Sequence, residues 1–206
     1  MAILAGLAAR VRERALLAAE PGSALRTRLV DAAVRLTTEH GWAKVTMARL
    51  ADEVGVSRQT VYNEIGSKPQ LAEAMILRQL DRFLAIVSVA FDRHPTDLVA
   101  AIRAASRRVL EHAQDNHLLH AVVSATHGAD TELLPLLTTH SESLLGVAKV
   151  VIADRIEPYD VHLDRKHLEA AIDAVVRLVL SHVMQPSATP ADTADDIAWI
   201  AHRVLR

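Results

Sequence analysis

Within the span Arg58 to Asn63, the chain sets a forked cation, Arg58, beside two primary amides, Gln59 and Asn63. An arginine can fork onto the O6 and N7 acceptors of guanine, and a glutamine or asparagine can pair with the N6 donor and N7 acceptor of adenine. Around them stand Thr46, Thr60, Tyr62 and Lys68, three hydroxyls and an ammonium suited to phosphate oxygens. Taken singly, each is equally well read as an exposed polar side chain. The chemistry therefore depends on elements that present them together.

Those elements are legible. Leu50 to Lys68 reads as two short amphipathic helices around a tight turn, the pattern of a helix-turn-helix. Ala51 supplies a small residue where the helices cross, Gly55 a turn residue free to take positive φ, and Val61 a branched side chain to bury in the second helix. Thr46 is placed to cap the first helix and Ser57 the second, and Ser67 with Gln70 forms a capping-box pattern opening a third. Upstream, Leu25, Leu29, Ala32, Ala33, Leu36 and His40 recur at helical spacing, which predicts a helix from about Ser23 to His40 closed by Gly41.

On these residues the segment resembles the DNA-binding domain of the TetR family of transcriptional regulators. The resemblance is carried by Gly41 and Thr46, Leu50-Ala51, Gly55-Val56-Ser57, Thr60-Val61-Tyr62, and Ser67-Lys68 with Leu71, over roughly the first third of the chain. It implies a recognition helix whose first residues meet base edges, a palindromic double-stranded DNA operator, a homodimer, and a repressor released by a small-molecule inducer. Three positions depart from the family pattern. A histidine or aromatic residue and then a phenylalanine usually follow the recognition tyrosine, where this chain has Asn63, Glu64 and Ile65 in succession, with Glu64 and Ile65 at the departing places. Ile65 is a plausible core substitute. Glu64 either faces phosphate at an electrostatic cost or pairs with Arg58 or Lys68. Pro69 replaces a frequent acidic residue and is benign in a helix's first turn.

Composition points to an all-α protein: half of the 206 residues are apolar, yet 3% are aromatic, with alanine, leucine and valine dominant. The absence of cysteine excludes a disulfide scaffold and thiolate metal sites. The overall charge of −2 divides unevenly, because residues 1–70 hold ten Lys/Arg against seven Asp/Glu, +3, leaving −5 for the rest. Met1 to Ala9 is apolar but no basic residue precedes it, and no apolar run is long enough to cross a bilayer, so a cytoplasmic protein without membrane partners is expected. Arg10, Arg12 and Arg14 belong to an arm, residues 1–22, that is either a solvated extension or a contact to DNA.

The expected organisation is a helix-turn-helix domain over 23–70 joined by a long helix to a helical ligand-binding and dimerisation domain over 71–206. Apolar residues from Leu71 through Ile76, Leu80, Phe83 and Val87 to Phe91 draw the connecting helix. Further helices are expected from Pro95 to Asp115, after Pro135, from Asp164 to Met184, and from Pro190 to Leu205. Leu168, Ile172, Val175, Val176, Val179 and Val183 cover more than one stripe of their helix, so a two-fold interface with Ile197, Ile200 and Val204 is expected, against the alternative of a helix buried in a monomer. A ligand pocket would draw on His120, Val123, His127, Leu133, Leu137 and His140, implying a mostly apolar ligand, although ordinary core packing is the readier account of the leucines. His112, His117, His120 and His127 cluster in sequence without metal-ligand spacing, Asp164 and His167 make a single Asp-x-x-His, and no metal or cofactor is expected. The nucleophile and phosphate-loop motifs of common enzymes are missing, so an enzyme is the weaker alternative. A helix-turn-helix regulator whose second half only dimerises or binds a protein stays open.

Overall fold

In the computed structural model, residues 21–120 and 141–205 are described, and every regular element among them is helical. The chain divides into two compact units, one of Met1–Gln79 with His117–Glu142 and the other of Leu80–Asn116 with Ser143–Arg206.

The first unit is built on α1, Pro21–His40, which starts two residues earlier than its periodicity suggests because proline is well tolerated in a helix's first turn. Its inward stripe of Leu29, Val30, Ala32, Ala33 and Leu36 is buried. Thr37 is also buried, and it satisfies its hydroxyl by donating to the Ala33 carbonyl at 2.7 Å. Gly41 ends α1 with φ 81, and a 3₁₀ turn over Trp42–Lys44 leads to α2, Met47–Val54, and α3, Arg58–Ile65. The next helix, α4, runs Lys68–Arg93. Its early residues Leu71, Ala72 and Met75 join Leu29, Trp42, Val45, Leu50, Val61 and Ile65 in one core. Leu118 is packed into this same core.

In the second unit, the later turns of α4 carry Val87, Ala90 and Phe91 into a separate core. Asp97 caps α5, Leu98–Gln114, by accepting from the Ala100 N–H at 2.9 Å, so this helix begins three residues after Pro95, which sits in the preceding turn. α6 spans Ser141–Ile156, α7 Arg165–Met184 and α8 Pro190–Val204. Thr189 caps α8 through the Asp192 N–H, with Pro190 at its first turn. α5 packs most extensively on α8, and Ala101, Ile102, Ala105 and Val109 share the core with Ile172, Val176, Ile197 and Ala201. Ion pairs tie the elements at their edges: Arg155 of α6 to Asp92 of α4 at 2.7 Å, and Lys149 of α6 to Asp173 of α7 at 2.9 Å. Among the described residues, no helix is long and apolar enough to cross a membrane, and no group of histidines and carboxylates is placed to hold a metal ion.

Leu50 is fully buried at the centre of the first core. Leu50→Ala should lower the unfolding free energy of that unit by about 2–5 kcal/mol. Urea denaturation followed by circular dichroism measures this, and a loss below about 1 kcal/mol would contradict the packing described.

Candidate nucleic-acid interface

Local chemistry at each terminus defines the two short helices. Thr46, extended at φ −125, accepts the Arg49 N–H at 3.1 Å and so starts α2. The helix stops at Gly55, whose φ of 74 and ψ of 41 place it in the left-handed region; its N–H and that of Val56 both donate to the Ala51 carbonyl, at 2.9 and 3.0 Å. A side chain at Gly55 would strain this turn by roughly 1 kcal/mol. Ser57 then starts α3 by accepting the Thr60 N–H at 3.1 Å. Ala51, Val61 and Ile65, the residues read as crossing point and core anchors, are all buried.

With Val61 and Ile65 turned inward, the opposite side of α3 is left to polar groups. Arg58, Gln59 and Asn63 are exposed, and Tyr62 is 45% exposed despite its large apolar ring. Helical spacing sorts them into two rows, Arg58 above Tyr62 and Gln59 above Asn63. In the second row the Gln59 amide Nε2 donates to Asn63 Oδ1 at 2.9 Å. Thr60 is half-buried at the margin, its hydroxyl 2.8 Å from that of Ser57. Thr46 is exposed at the start of α2, its oxygen engaged as a cap. Lys68 stands at the start of α4 with Nζ 4.9 Å from the centroid of the buried Trp42 ring, a cation–π contact that steadies the ammonium. Ser67 accepts from the Gln70 N–H at 3.4 Å and lies 3.0 Å from Gln70 Oε1, so the expected box closes through the serine hydroxyl.

Three supports were not visible in the pattern. Arg26 and Arg28 of α1 lie about 200° apart around their helix and reach different neighbours: Arg26 donates to the Glu64 carbonyl, and Arg28 to the Val54 carbonyl at 2.9 Å. Each guanidinium thus satisfies a carbonyl in the last turn of a helix, where the backbone carries partial negative charge. Trp42, under Lys68, is the third. Charge alone signals none of these contacts, because a basic residue ahead of a helix-turn-helix can as easily be solvated. Glu64 is half-buried. The nearby cation is Arg26, at its carbonyl.

The sites expected in the second half distribute differently. Ile172, Val176 and Ile197 were expected to face a second subunit and are instead packed in the protomer's own core, because α5 and α8 cover that side of α7. Leu168, Val175, Val179, Val183 and Ile200 are half-buried and Val204 is exposed. Beside them Leu180 and Met184 of α7 and Trp199 of α8 are exposed, Trp199 by 63%, with the Arg203 guanidinium over its ring at 5.6 Å. Of the expected ligand residues His120 is exposed, whereas Val123, His127, Leu133, Leu137 and His140 lie outside the described residues, as do Pro135 and the arm arginines. Asp164 and His167 form a cap, with the carboxylate accepting the His167 N–H at 2.9 Å and lying 2.6 Å from its ring Nδ1. These bonds, the backbone one foremost, hold the Asp164 carboxyl below its ordinary range.

Comparison with known proteins covers both units. The family described as bacterial regulatory proteins, tetR family, matches residues 29–75, and the Bacterial Tetracyclin repressor, C-terminal domain, matches residues 97–203. The HTH-type transcriptional regulator AlkX of Mycobacterium tuberculosis is 29% identical over 174 residues, 84% of this chain and 82% of its own length. BetI of Brucella abortus, another HTH-type transcriptional regulator, is 34% identical over 93 residues, 44% of this chain and 46% of its own. Among solved structures, the TetR family repressor AlkX from Dietzia sp., implicated in biodegradation of n-alkanes, superposes with a TM-score of 0.69 at 24% identity, covering 91% of this chain and 98% of that one.

Glu64 carries the carboxylate at the end of this face. Glu64→Gln should tighten binding to double-stranded DNA by about 0.5–1 kcal/mol at low ionic strength, a gain that fades as salt screens it. Fluorescence anisotropy across a salt series measures the difference, and weaker binding by the variant would count against this orientation of α3.

Proposed function

The chain belongs to the TetR family of bacterial transcriptional regulators, and on that premise we propose that it is a homodimeric repressor that grips a palindromic operator and lets go when a small, mostly apolar ligand binds its C-terminal unit. The observation that carries the DNA-binding part is the division of α3 into two sides. Val61 and Ile65 bind the helix to the core, while Arg58, Gln59, Tyr62 and Asn63 stand exposed on a helix short enough to enter a major groove. Arg58, Gln59 and Asn63 read bases in this proposal. Thr46, Thr60, Tyr62 and Lys68 hold phosphates, helped by the partial positive charge at the amino termini of α2 and α4.

The dimer is supported by the apolar surface of α7 and α8. Leu180, Met184, Trp199 and Val204 are each more than 40% exposed, and exposed apolar side chains gathered on two neighbouring helices mark an association surface. The interface we propose uses these four together with Leu168, Val175, Val179, Val183 and Ile200; Ile172, Val176 and Ile197 support it from within. Two-fold pairing of this surface gives one helix-turn-helix per half-site, as a palindrome requires.

Ligand release is supported by the family and by a buried polar atom. His112 Nε2 is inaccessible to solvent and has no hydrogen-bond partner among the described residues, and its ring stands edge-on to Phe83 with centroids 5.3 Å apart. An unsatisfied buried nitrogen of this kind costs about 1–3 kcal/mol, which a ligand's polar group would relieve. The apolar body of the ligand fits a unit rich in leucine, valine and alanine, and agrees with the implication of the Dietzia repressor in biodegradation of n-alkanes. Coupling would run through α4, whose early turns belong to the DNA-binding core and whose later turns belong to the second. By linkage, a ligand that weakens operator binding is itself bound more weakly by the operator complex.

Selection of genomic fragments on the immobilised full-length protein tests the reading. The expected outcome is enrichment of one palindrome, bound by two chains, with affinity lowered by a medium-chain alkane or fatty acid. Unselective enrichment, or equal affinity with and without every apolar ligand tried, refutes the corresponding part. Leu180→Glu combined with Trp199→Glu should yield a monomer in sedimentation and cost about a hundredfold or more in operator affinity through lost bivalency. A variant that sediments as a dimer contradicts the interface.

A further inference from the structure

In the free protein Gln59 and Asn63 already hold each other. Both are exposed, one turn apart on the same row of α3, and the Gln59 Nε2 donates to Asn63 Oδ1 at 2.9 Å. A free glutamine amide rotates about its last torsion and shows a base either its oxygen or its nitrogen first. Here one of the two Nε2 hydrogens is spent on Asn63, which fixes which edge of the amide is the donor side. What remains outward is one N–H and the carbonyl oxygen Oε1, a donor beside an acceptor.

We propose that Gln59 and Asn63 act as one coupled reader of a single adenine in each operator half-site, with Gln59 making the base contact and Asn63 acting as the positioning residue. This rests on the operator-binding reading above and adds the identity of a base to it. The outward N–H donates to adenine N7, and Oε1 accepts from adenine N6–H, the one major-groove edge with that order of groups. Guanine opposes Oε1 with its own acceptor O6, so the same amide rejects it. Holding a rotamer-rich side chain in its binding orientation before contact removes an ordering cost that the complex would otherwise carry. Arg58 and Tyr62 lie on the neighbouring row and do not enter this pair.

The test uses the full-length protein and the operator recovered by fragment selection. Each adenine is replaced in turn by 7-deazaadenine, which keeps Watson–Crick pairing and loses the N7 acceptor. For the wild type, one adenine per half-site should cost about tenfold in affinity when replaced, consistent with a bidentate base contact. Gln59→Ala should bind the natural and 7-deaza operators equally. Asn63→Ala should keep the helix folded and shrink the penalty to less than about threefold. Asn63→Asp retains an oxygen acceptor for Nε2, so it should keep the full penalty even though its added charge weakens binding overall in low salt. A merely structural asparagine would move all sequences equally and would not be replaced by aspartate in this respect. The inference is overturned if the wild type is indifferent to every 7-deaza replacement, if the penalty survives Gln59→Ala, or if Asn63→Ala keeps it whole. Recovery of no specific DNA at all would instead bring down the operator reading, and this inference with it.

Discussion

Eight residues are too few to remain helical in water on their own, since nucleation is costly and isolated helices shorter than about 12–15 residues are marginal. α3 is that short, and so is α2. The burial of Val61 and Ile65 in the core formed with Leu29, Leu50 and Leu71 is therefore the condition for a recognition helix to exist at all. The same burial sets the rotation of the helix. Once Val61 and Ile65, one turn apart on the same face, are committed to the interior, Gln59 and Asn63, each two places from Val61, are turned to the outer side, and their arrangement into rows follows from helical geometry.

Around that anchor the remaining interactions act on ends and angles. Thr46 and Ser57 fix where the helices begin, and Gly55 lets the chain turn between them without a strained side chain. Arg26 and Arg28 reach back from α1 to carbonyls in the last turns of α3 and α2. This ties the two short helices to α1. It also leaves positive charge beside Glu64, the one carboxylate at the end of the outer face. Arg78 of α4, paired with Asp31 of α1 at 2.8 Å, holds the start of the long helix to the same base. A shift of α4 against α1 would thus be felt by the helices that α1 supports, which is the physical content of the coupling proposed for ligand release.

The parts of this architecture that were legible in the sequence are those encoded by neighbours in the chain. Caps at Thr46 and Ser57, the left-handed turn at Gly55, and the inward stripe of α1 are local signals, and each is found where the residues put it. Contacts between residues far apart were not legible. Arg26 to Glu64 spans 38 positions, and nothing in either residue type announces the other. The apolar stripes of α7 illustrate the harder case. Their breadth suggested two partners, yet hydrophobicity does not say which stripe meets which partner, and Ile172 and Val176 face the protomer's own α5 and α8 while Leu180 and Met184 are left outside. Trp199 escaped notice for a related reason: one exposed tryptophan on a helix otherwise patterned for burial becomes conspicuous only when its neighbours are placed.

The outer side of α3 is the surface proposed to meet DNA. Because the chain contains no cysteine, a single thiol can be placed at Tyr62 on that surface, or at Arg107 on the exposed side of α5, and its rate of labelling by a maleimide followed with and without saturating operator. The account requires that operator slow labelling of Tyr62→Cys by about tenfold or more, as burial against a duplex should, while Arg107→Cys labels at an unchanged rate. Equal rates at position 62 with and without bound operator would contradict it.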